Sequence, residues 1–233
     1  MSTPTAGPRW ARRADVTARI LAIGRLHLAE QGAAALSLRS VARDLGMVSS
    51  AVYRYVASRD ELLTLLVVDA YTELGDGVDA ALASSRGGLD TRFIAAARAV
   101  RAWALAEPAR YALLYGSPVP GYEAPAEQTT GPGTRVIRAI LALVAAGVAK
   151  GEIAPGAGAV PVPRLVSADL RRLRAELGLE LDEAVLARSV LTWSALFGAV
   201  SLEAFGQYGP ETFTARDALF DHQMRLALTV LRG

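Results

Sequence analysis

Residues 36–62 read LSLRSVARDLGMVSSAVYRYVASRDEL, and the organisation of the whole chain follows from that stretch. Its apolar residues recur at helical spacing in two short runs, residues 38–45 and 49–56, separated by a turn at Gly46. Ser37 is placed to cap the first run. Ser58 and Glu61 form an S-x-x-E capping box that opens a further helix carrying Leu62, Leu65 and Leu66. Upstream, residues 15–31 set Ile20, Ile23, His27 and Leu28 near one helical face, with Gly32 as the stop. Three helices in so short a span, the last two joined by a tight turn, predict a helix-turn-helix.

The physics of that motif assigns roles to residue types. The second helix braces on the DNA backbone and the third enters the major groove, so the groove face must be small or hydrogen-bonding. Ser49, Ser50 and Ala51 meet that demand at the N-terminal end of the third helix, where free N–H groups and the helix dipole also favour phosphate. Val48 has no capping oxygen, so Ser49 is expected to cap. Tyr53, Arg54 and Tyr55 supply phenol and guanidinium donors. Val41, Ala42, Leu45 and Val52 read as core. Taken alone, Tyr53 reads as a core aromatic with its hydroxyl at the surface, and the two serines read as caps.

Charge is distributed to match. Residues 1–59 hold nine Arg against Asp15, Glu30 and Asp44, a net +6. The whole chain is only +2, so the rest sums to −4. A basic first quarter on a mildly acidic body is the footprint of a polyanion-binding head. Cysteine is absent, which removes disulfides, thiolate nucleophiles and Cys-based metal sites. Two distant histidines, His27 and His222, are a poor start for a metal centre. No window of about 18 uncharged apolar residues occurs, and the first eight residues lack the basic-then-apolar order of a secretory signal. The reading is a cytoplasmic protein with no membrane partner, no cofactor and no metal.

Beyond residue 58 the pattern stays helical, and alternating strand patterns are missing. Helices are expected up to the Gly/Ser stretch at 84–88 and then over 90–106, 109–115, 134–150, 164–177, 182–205 and 214–231, about nine or ten in all. Residues 116–133, rich in Pro and Gly, are expected as a loop. The fold class is therefore all-α: a flexible basic arm at 1–14, a three-helix DNA-binding domain at 15–61, and a larger helical domain at 62–233.

The stretch 36–62 resembles the N-terminal signature of the TetR family throughout. Gly46, Tyr53, Tyr55, Arg59, Glu61 and Leu62 stand where that family usually has Gly, Tyr, an aromatic or His, a basic residue, an acidic residue and Leu. Val48, Val56 and Gly24 depart from its common Ser or Thr, Phe and Ala. The resemblance implies a double-stranded DNA operator as partner. It implies a phosphate contact for Tyr53, base or sugar-phosphate contacts for Ser49, Ser50, Ala51 and Tyr55, and backbone contacts for Ser37 and Arg39. Arg54 and Arg59 join this candidate set, and Arg12 and Arg13 form an arm that could reach backbone or minor groove.

A TetR-like head needs two copies to read a palindrome, which implies a homodimer. The series Leu186, Val190, Trp193, Phe197, Val200 and Ala204 repeats at alternating spacings of four and three, as does Phe220, Met224, Ala227 and Leu231. These seams suit a four-helix interface, with Leu186, Val190, Val200, Phe220, Met224 and Leu231 as candidate contacts. The same stripes read equally as intramolecular core. This half is also similar to a WHG-type C-terminal domain of TetR-like regulators, through Trp103, Glu107-Pro108, Tyr111, residues 115–122 and Trp193-Ser-Ala-Leu-Phe-Gly198. Phe197 stands there in place of the usual His, which makes the surroundings more apolar. Trp103, Tyr111, Tyr115, Tyr122, Trp193 and Phe197 are candidate lining for a small, largely apolar effector.

Other classes fit less well. No Asp-rich D-D-x-x-D cluster, nucleophile elbow or phosphate loop occurs, so no catalytic function is expected. The Arg171, Arg172 and Arg174 cluster sits at helical spacing from Asp169 and Glu176, which reads as a salt-bridged face rather than an anion site. The resemblance implies a repressor released by an effector, with the larger helical domain at 62–233 serving effector binding and dimerisation; the alternative is a regulator of the same type with no small-molecule effector.

Overall fold

A computed structural model of the protein describes residues 9–156 and 160–233, with the side chains of 9–12 left out of account. Among the described residues the fold is all helix, with no strand. The elements are α1 (Arg9–Gln31), a 3₁₀ turn (Ala33–Ala35), α2 (Leu38–Asp44), α3 (Ser49–Val52), α4 (Arg59–Ser84), α5 (Leu89–Ala106), α6 (Pro108–Tyr115), α7 (Ala126–Gly133), α8 (Arg135–Ala149), α9 (Arg164–Leu177), α10 (Glu183–Ala204) and α11 (Arg216–Arg232).

Two boundaries differ from expectation. α1 starts at Arg9 rather than 15, so residues 9–14 of the expected arm are helical, and the first eight lie outside the described residues. The expected loop 116–133 contains α7, where the amides of Gln128 and Thr129 both close on the Pro125 carbonyl at 3.1 Å. Gly131, Pro132 and Gly133, expected as breakers, form its last turn, and the helix stops there because Pro132 has no N–H to return to the turn before it.

The chain packs as two units. The first joins the described residues up to 72 with 107–133; the second joins 73–106 with 134–233. Residues 15–61, the expected DNA-binding domain, lie wholly within the first unit. Its core gathers Ile20, Leu38, Val41, Val52, Val56, Leu62 and Leu66, and Leu113, Val119 and Tyr122 pack against that core. The Tyr122 hydroxyl lies 3.0 Å from the hydroxyl of buried Thr64. Asp69 on α4 accepts from Arg25 Nε on α1 and from Arg110 on α6, both at 2.9 Å, with the Arg110 side chain almost wholly buried. A buried guanidinium is tolerable only with such a carboxylate beside it.

In the second unit α5 is central, packing on α8, α10 and α11. Its Phe93, Ala97, Val100 and Ala104 are buried. Arg101 on α5 grips Glu203 of α10 at 2.6 and 2.7 Å and Asp217 at 2.7 Å, and its guanidinium sits 5.3 Å from the Phe220 ring centroid. Paired with Glu203 first and then Asp217, it is held still more firmly in its charged form than a free arginine. Asp182 caps α10 by accepting from the Val185 amide at 2.8 Å. Two runs, Ala126–Ala149 and α10, are long and apolar enough to cross a membrane by length and composition alone. In α10 that apolarity serves the core, where Val185, Leu186, Leu196 and Val200 are buried.

The regular seams on α10 and α11 are intramolecular. Leu186, Val200, Phe220, Met224 and Leu231 are each at most 2% exposed, so within the single chain they pack α10, α11 and α5 together. Of the six candidate dimer contacts only Val190, at 46%, is exposed. A stripe of period 3.5 buries itself wherever it first finds an apolar neighbour, and here that neighbour is in the same chain. The unpartnered apolar face lies to one side of the seam, at Leu191, Leu202, Leu226 and Val230.

Candidate nucleic-acid interface

The turn between α2 and α3 is built on Gly46, whose φ of +67° is a left-handed conformation that costs an L side chain about 1 kcal/mol or more. Ser37 and Val48 occupy the N-cap positions of α2 and α3 in extended conformation, and neither side chain caps. Ser49 is therefore the first helical residue of α3 and not its cap, which corrects the expectation. α3 is also shorter than 49–56. Regular helix ends at Val52, and the chain continues as a tightened turn in which the amides of Arg54 and Tyr55 bond back to the carbonyls of Ala51 and Val52.

Val52 and Val56, both fully buried, anchor this turn to the core. The opposite side is thereby turned outward. Ser50 and Arg54 are exposed, as is Tyr53 at 46%, while Ser49, Ala51 and Tyr55 are half-buried. Arg39 on α2 is exposed and Ser37 half-buried. The Arg13 guanidinium lies 5.7 Å from the Tyr55 ring centroid, which brings the end of α1 beside α3. Arg12, its companion in the expected arm, lies outside the residues whose side chains are described. Val48, 71% exposed beside Ser49, is an apolar member of this face that sequence reasoning had treated only as a missing cap.

Arg59, half-buried, has bonds within the head. It donates to the carbonyls of Ala33 and Ala34 at 3.0 and 3.2 Å and pairs with Asp60 at 3.4 Å, tying the start of α4 to the 3₁₀ turn. Two of its bonds go to backbone carbonyls of the 3₁₀ turn, a use that sequence spacing could not show. The Ser58 hydroxyl accepts from the Glu61 amide at 3.0 Å, while the Glu61 carboxylate accepts from the Ala57 amide. His27, 95% buried, meets Asp44 at 2.6 Å. That hydrogen bond and the one from Arg43 lower the Asp44 pKa, so a negative charge on the head is locally matched.

The six candidate effector-lining residues are divided. In the first unit Tyr111 is fully buried, its ring 5.1 Å from Tyr115, which in turn meets Tyr71 edge-on at 6.2 Å. Burial, and then the neighbouring Tyr71 and Tyr111, push the Tyr115 hydroxyl well above the usual phenol pKa. Tyr71 was not anticipated, because on a long helix it carries no signal of its own. Tyr122 packs on the head core away from any role as lining. In the second unit Trp103 donates to Glu73 at 3.1 Å, and the Trp193 and Phe197 rings stack 4.2 Å apart. Leu191, Ala195, Gly198, Leu202, Leu226 and Val230 border a hollow of about 470 Å³ between α10 and α11. Arg171 pairs with Glu183 and Arg172 with Asp169, as a salt-bridged face requires.

Residues 93–227 match the family model described as a Tetracyclin repressor-like, C-terminal domain. The chain is 50% identical over 226 residues to the HTH-type transcriptional regulator Rv1816 of Mycobacterium tuberculosis, spanning 97% of this chain and 96% of that one. The same figures hold for HTH-type transcriptional regulator Mb1846 of Mycobacterium bovis. Among solved structures it is similar to regulatory protein SCO4313, at 34% identity and a TM-score of 0.75, covering 96% of this chain and 100% of that one. The fatty acid degradation regulator FadR from Bacillus halodurans shares the fold at 13% identity and a TM-score of 0.63, over 91% of this chain and 97% of that one.

Proposed function

The chain belongs to the TetR family of DNA-binding transcriptional regulators, and from that premise we propose that it is a cytoplasmic repressor that grips a palindromic operator as a homodimer and lets go when a small, largely apolar effector binds. The observation that carries the DNA-reading part is the α2–turn–α3 arrangement, in which buried Val52 and Val56 turn Ser50, Tyr53 and Arg54 outward. A short, stiff rod with small residues first and donors after them fits the major groove and the phosphates on its edge. Arg39 braces from α2, and Arg13, held against Tyr55, adds a cation at the margin. Two such heads are needed because one reads only a few base pairs.

The exposed apolar face of α10 and α11 supports dimerisation. Leu191, Leu202, Leu226 and Val230 stand in solvent in the single chain, a pattern typical of an interface. The aromatic groups Tyr71–Tyr111–Tyr115 and Trp193–Phe197 are the places where an effector would act. A tenfold loss of DNA affinity on effector binding needs only about 1.4 kcal/mol of preference for the released state.

Fluorescence anisotropy on DNA recovered by genome-wide pull-down, repeated with a metabolite library, tests the reading. Saturable binding of one dimer per palindrome, weakened by at least one compound, is the expected result. Binding that no compound alters would favour a regulator without an effector.

A further inference from the structure

Ten of the fourteen large apolar residues exposed among the described residues lie between positions 160 and 230. They do not stop at the α10–α11 face. Val160, 82% exposed, stands on the segment that leads into α9, and Leu165, 85% exposed, and Val166 stand in the first turn of that helix. Val160, Val162 and Val166, with Leu191 and Val230, border a second hollow of about 410 Å³. Leu191 and Val230 also border the hollow between α10 and α11, so the two form one continuous apolar surface.

At its far end the segment runs into α9, where the Ser167 amide bonds to the Pro163 carbonyl at 2.9 Å. Residues 154–156 are held separately: the Ala154 amide bonds to the Arg232 carbonyl at 3.1 Å, the Gly156 amide to Asp182 at 2.7 Å, and Arg188 to the Ala154 carbonyl at 2.6 Å. Pro161 and Pro163 then fix two backbone angles. Beyond it, Leu170 anchors α9 in the core. Apolar side chains on a proline-stiffened segment that runs into an anchored helix lose less entropy on being covered than they would on a free loop.

We propose that the second copy of the chain seats on this whole surface, so that residues 160–166 form a second lobe of the dimer interface, joined to the α10–α11 lobe at Leu191 and Val230. The inference rests on the dimer reading above. One two-fold operation covers both lobes in both chains at once. A small molecule in the 410 Å³ hollow would leave Leu165 in water, whereas a partner that already covers Leu191 and Val230 is adjacent to it.

The absence of cysteine makes the test clean. Leu165→Cys carries a single thiol at an exposed position, and its maleimide alkylation rate is followed across a dilution series with sedimentation equilibrium in parallel. Leu226→Asp and Leu202→Asp in the same background serve as monomeric references once circular dichroism shows native helix content; if either is unfolded, the most dilute samples serve. The expected result is alkylation at least tenfold slower where the protein is dimeric. Equal rates in dimer and monomer would overturn the second lobe while leaving the α10–α11 dimer intact. A protein that sediments as a single chain at every concentration would remove the dimer reading itself, and the second lobe with it.

Discussion

Arg13 stands over the ring of Tyr55, guanidinium carbon to ring centroid 5.7 Å, so the first helix of the head and the turn after α3 present their donors together. On the DNA-reading role proposed for that turn, the contact orders a cation at the edge of the interface before DNA arrives. Arg13→Ala is expected to weaken operator binding about equally across sequences and to lower the slope of log affinity against log salt by about 1, since one phosphate contact is lost. Anisotropy titrations between low and moderate salt measure that slope; an unchanged slope would place Arg13 outside the DNA contact.

Tyr53, Arg54 and Arg59 separate contact from scaffold. Tyr53→Phe and Arg54→Ala change exposed groups and are expected to reduce DNA affinity several-fold or more while the thermal midpoint stays put. Arg59→Ala removes the tie to the Ala33 and Ala34 carbonyls and is expected to cost about 1 kcal/mol of stability, by chemical denaturation, with the salt slope kept. The opposite pattern, a stable Arg59→Ala with a lowered slope, would return Arg59 to the interface.

Three helical glycines should respond differently to a methyl group. A Cβ on Gly24 would meet Leu62 and Leu66 at 3.5 Å, an ordinary contact, and one on Gly77 would meet nothing within 4 Å. Gly24→Ala and Gly77→Ala are expected to stabilise by up to about 1 kcal/mol each. On Gly75 it would lie 2.6 Å from the Arg135 side chain, which bridges Asp76 and Asp79. Gly75→Ala is expected to gain less or to destabilise, and denaturant midpoints of the three variants decide it.

Asp182 links stability to pH. Burial raises its pKa, but the amides of Val185, Gly156 and Ala184 and the charge of Arg188 outweigh burial and leave it below the usual carboxylate value. A group whose pKa is lower folded than unfolded stabilises the fold above its unfolded pKa and loses that contribution as pH falls through the folded one. Asp182→Ala is expected to cost about 1 kcal/mol at neutral pH, the worth of a helix cap, and to shrink the loss of stability on acidification below pH 4. Denaturation at pH 7 and pH 3 checks both; a cost that persists undiminished at pH 3 would deny the linkage.

Much of the head was legible in the sequence because its punctuation is local. Gly46 has the positive φ that its place between two short helices required, and Ser58 caps α4 as its spacing implied. What was not legible depends on distant partners. The bonds of Arg59 to the Ala33 and Ala34 carbonyls depend on residues 26 and 25 positions away. The Leu186–Val200 seam has the same period whether it meets its own chain or another, and only its burial tells them apart. The outer face at Leu191, Leu202, Leu226 and Val230 has no repeat as regular as the buried seam beside it. Of the candidate lining residues, Tyr111 and Tyr115 come together as do Trp193 and Phe197, but Tyr122 is drawn to the head by Thr64, a contact no spacing rule contains.

The central claim is that the turn from Ser49 to Val56, presented twice, reads duplex DNA. Genome-wide pull-down with the purified protein, wild type beside Arg54→Ala, tests it most directly. The account predicts enriched fragments sharing an inverted repeat with half-site centres about one helical turn or a multiple apart, and a clear loss of that enrichment in the variant. Enrichment no greater than a bare-resin control, or one indifferent to Arg54, would contradict it.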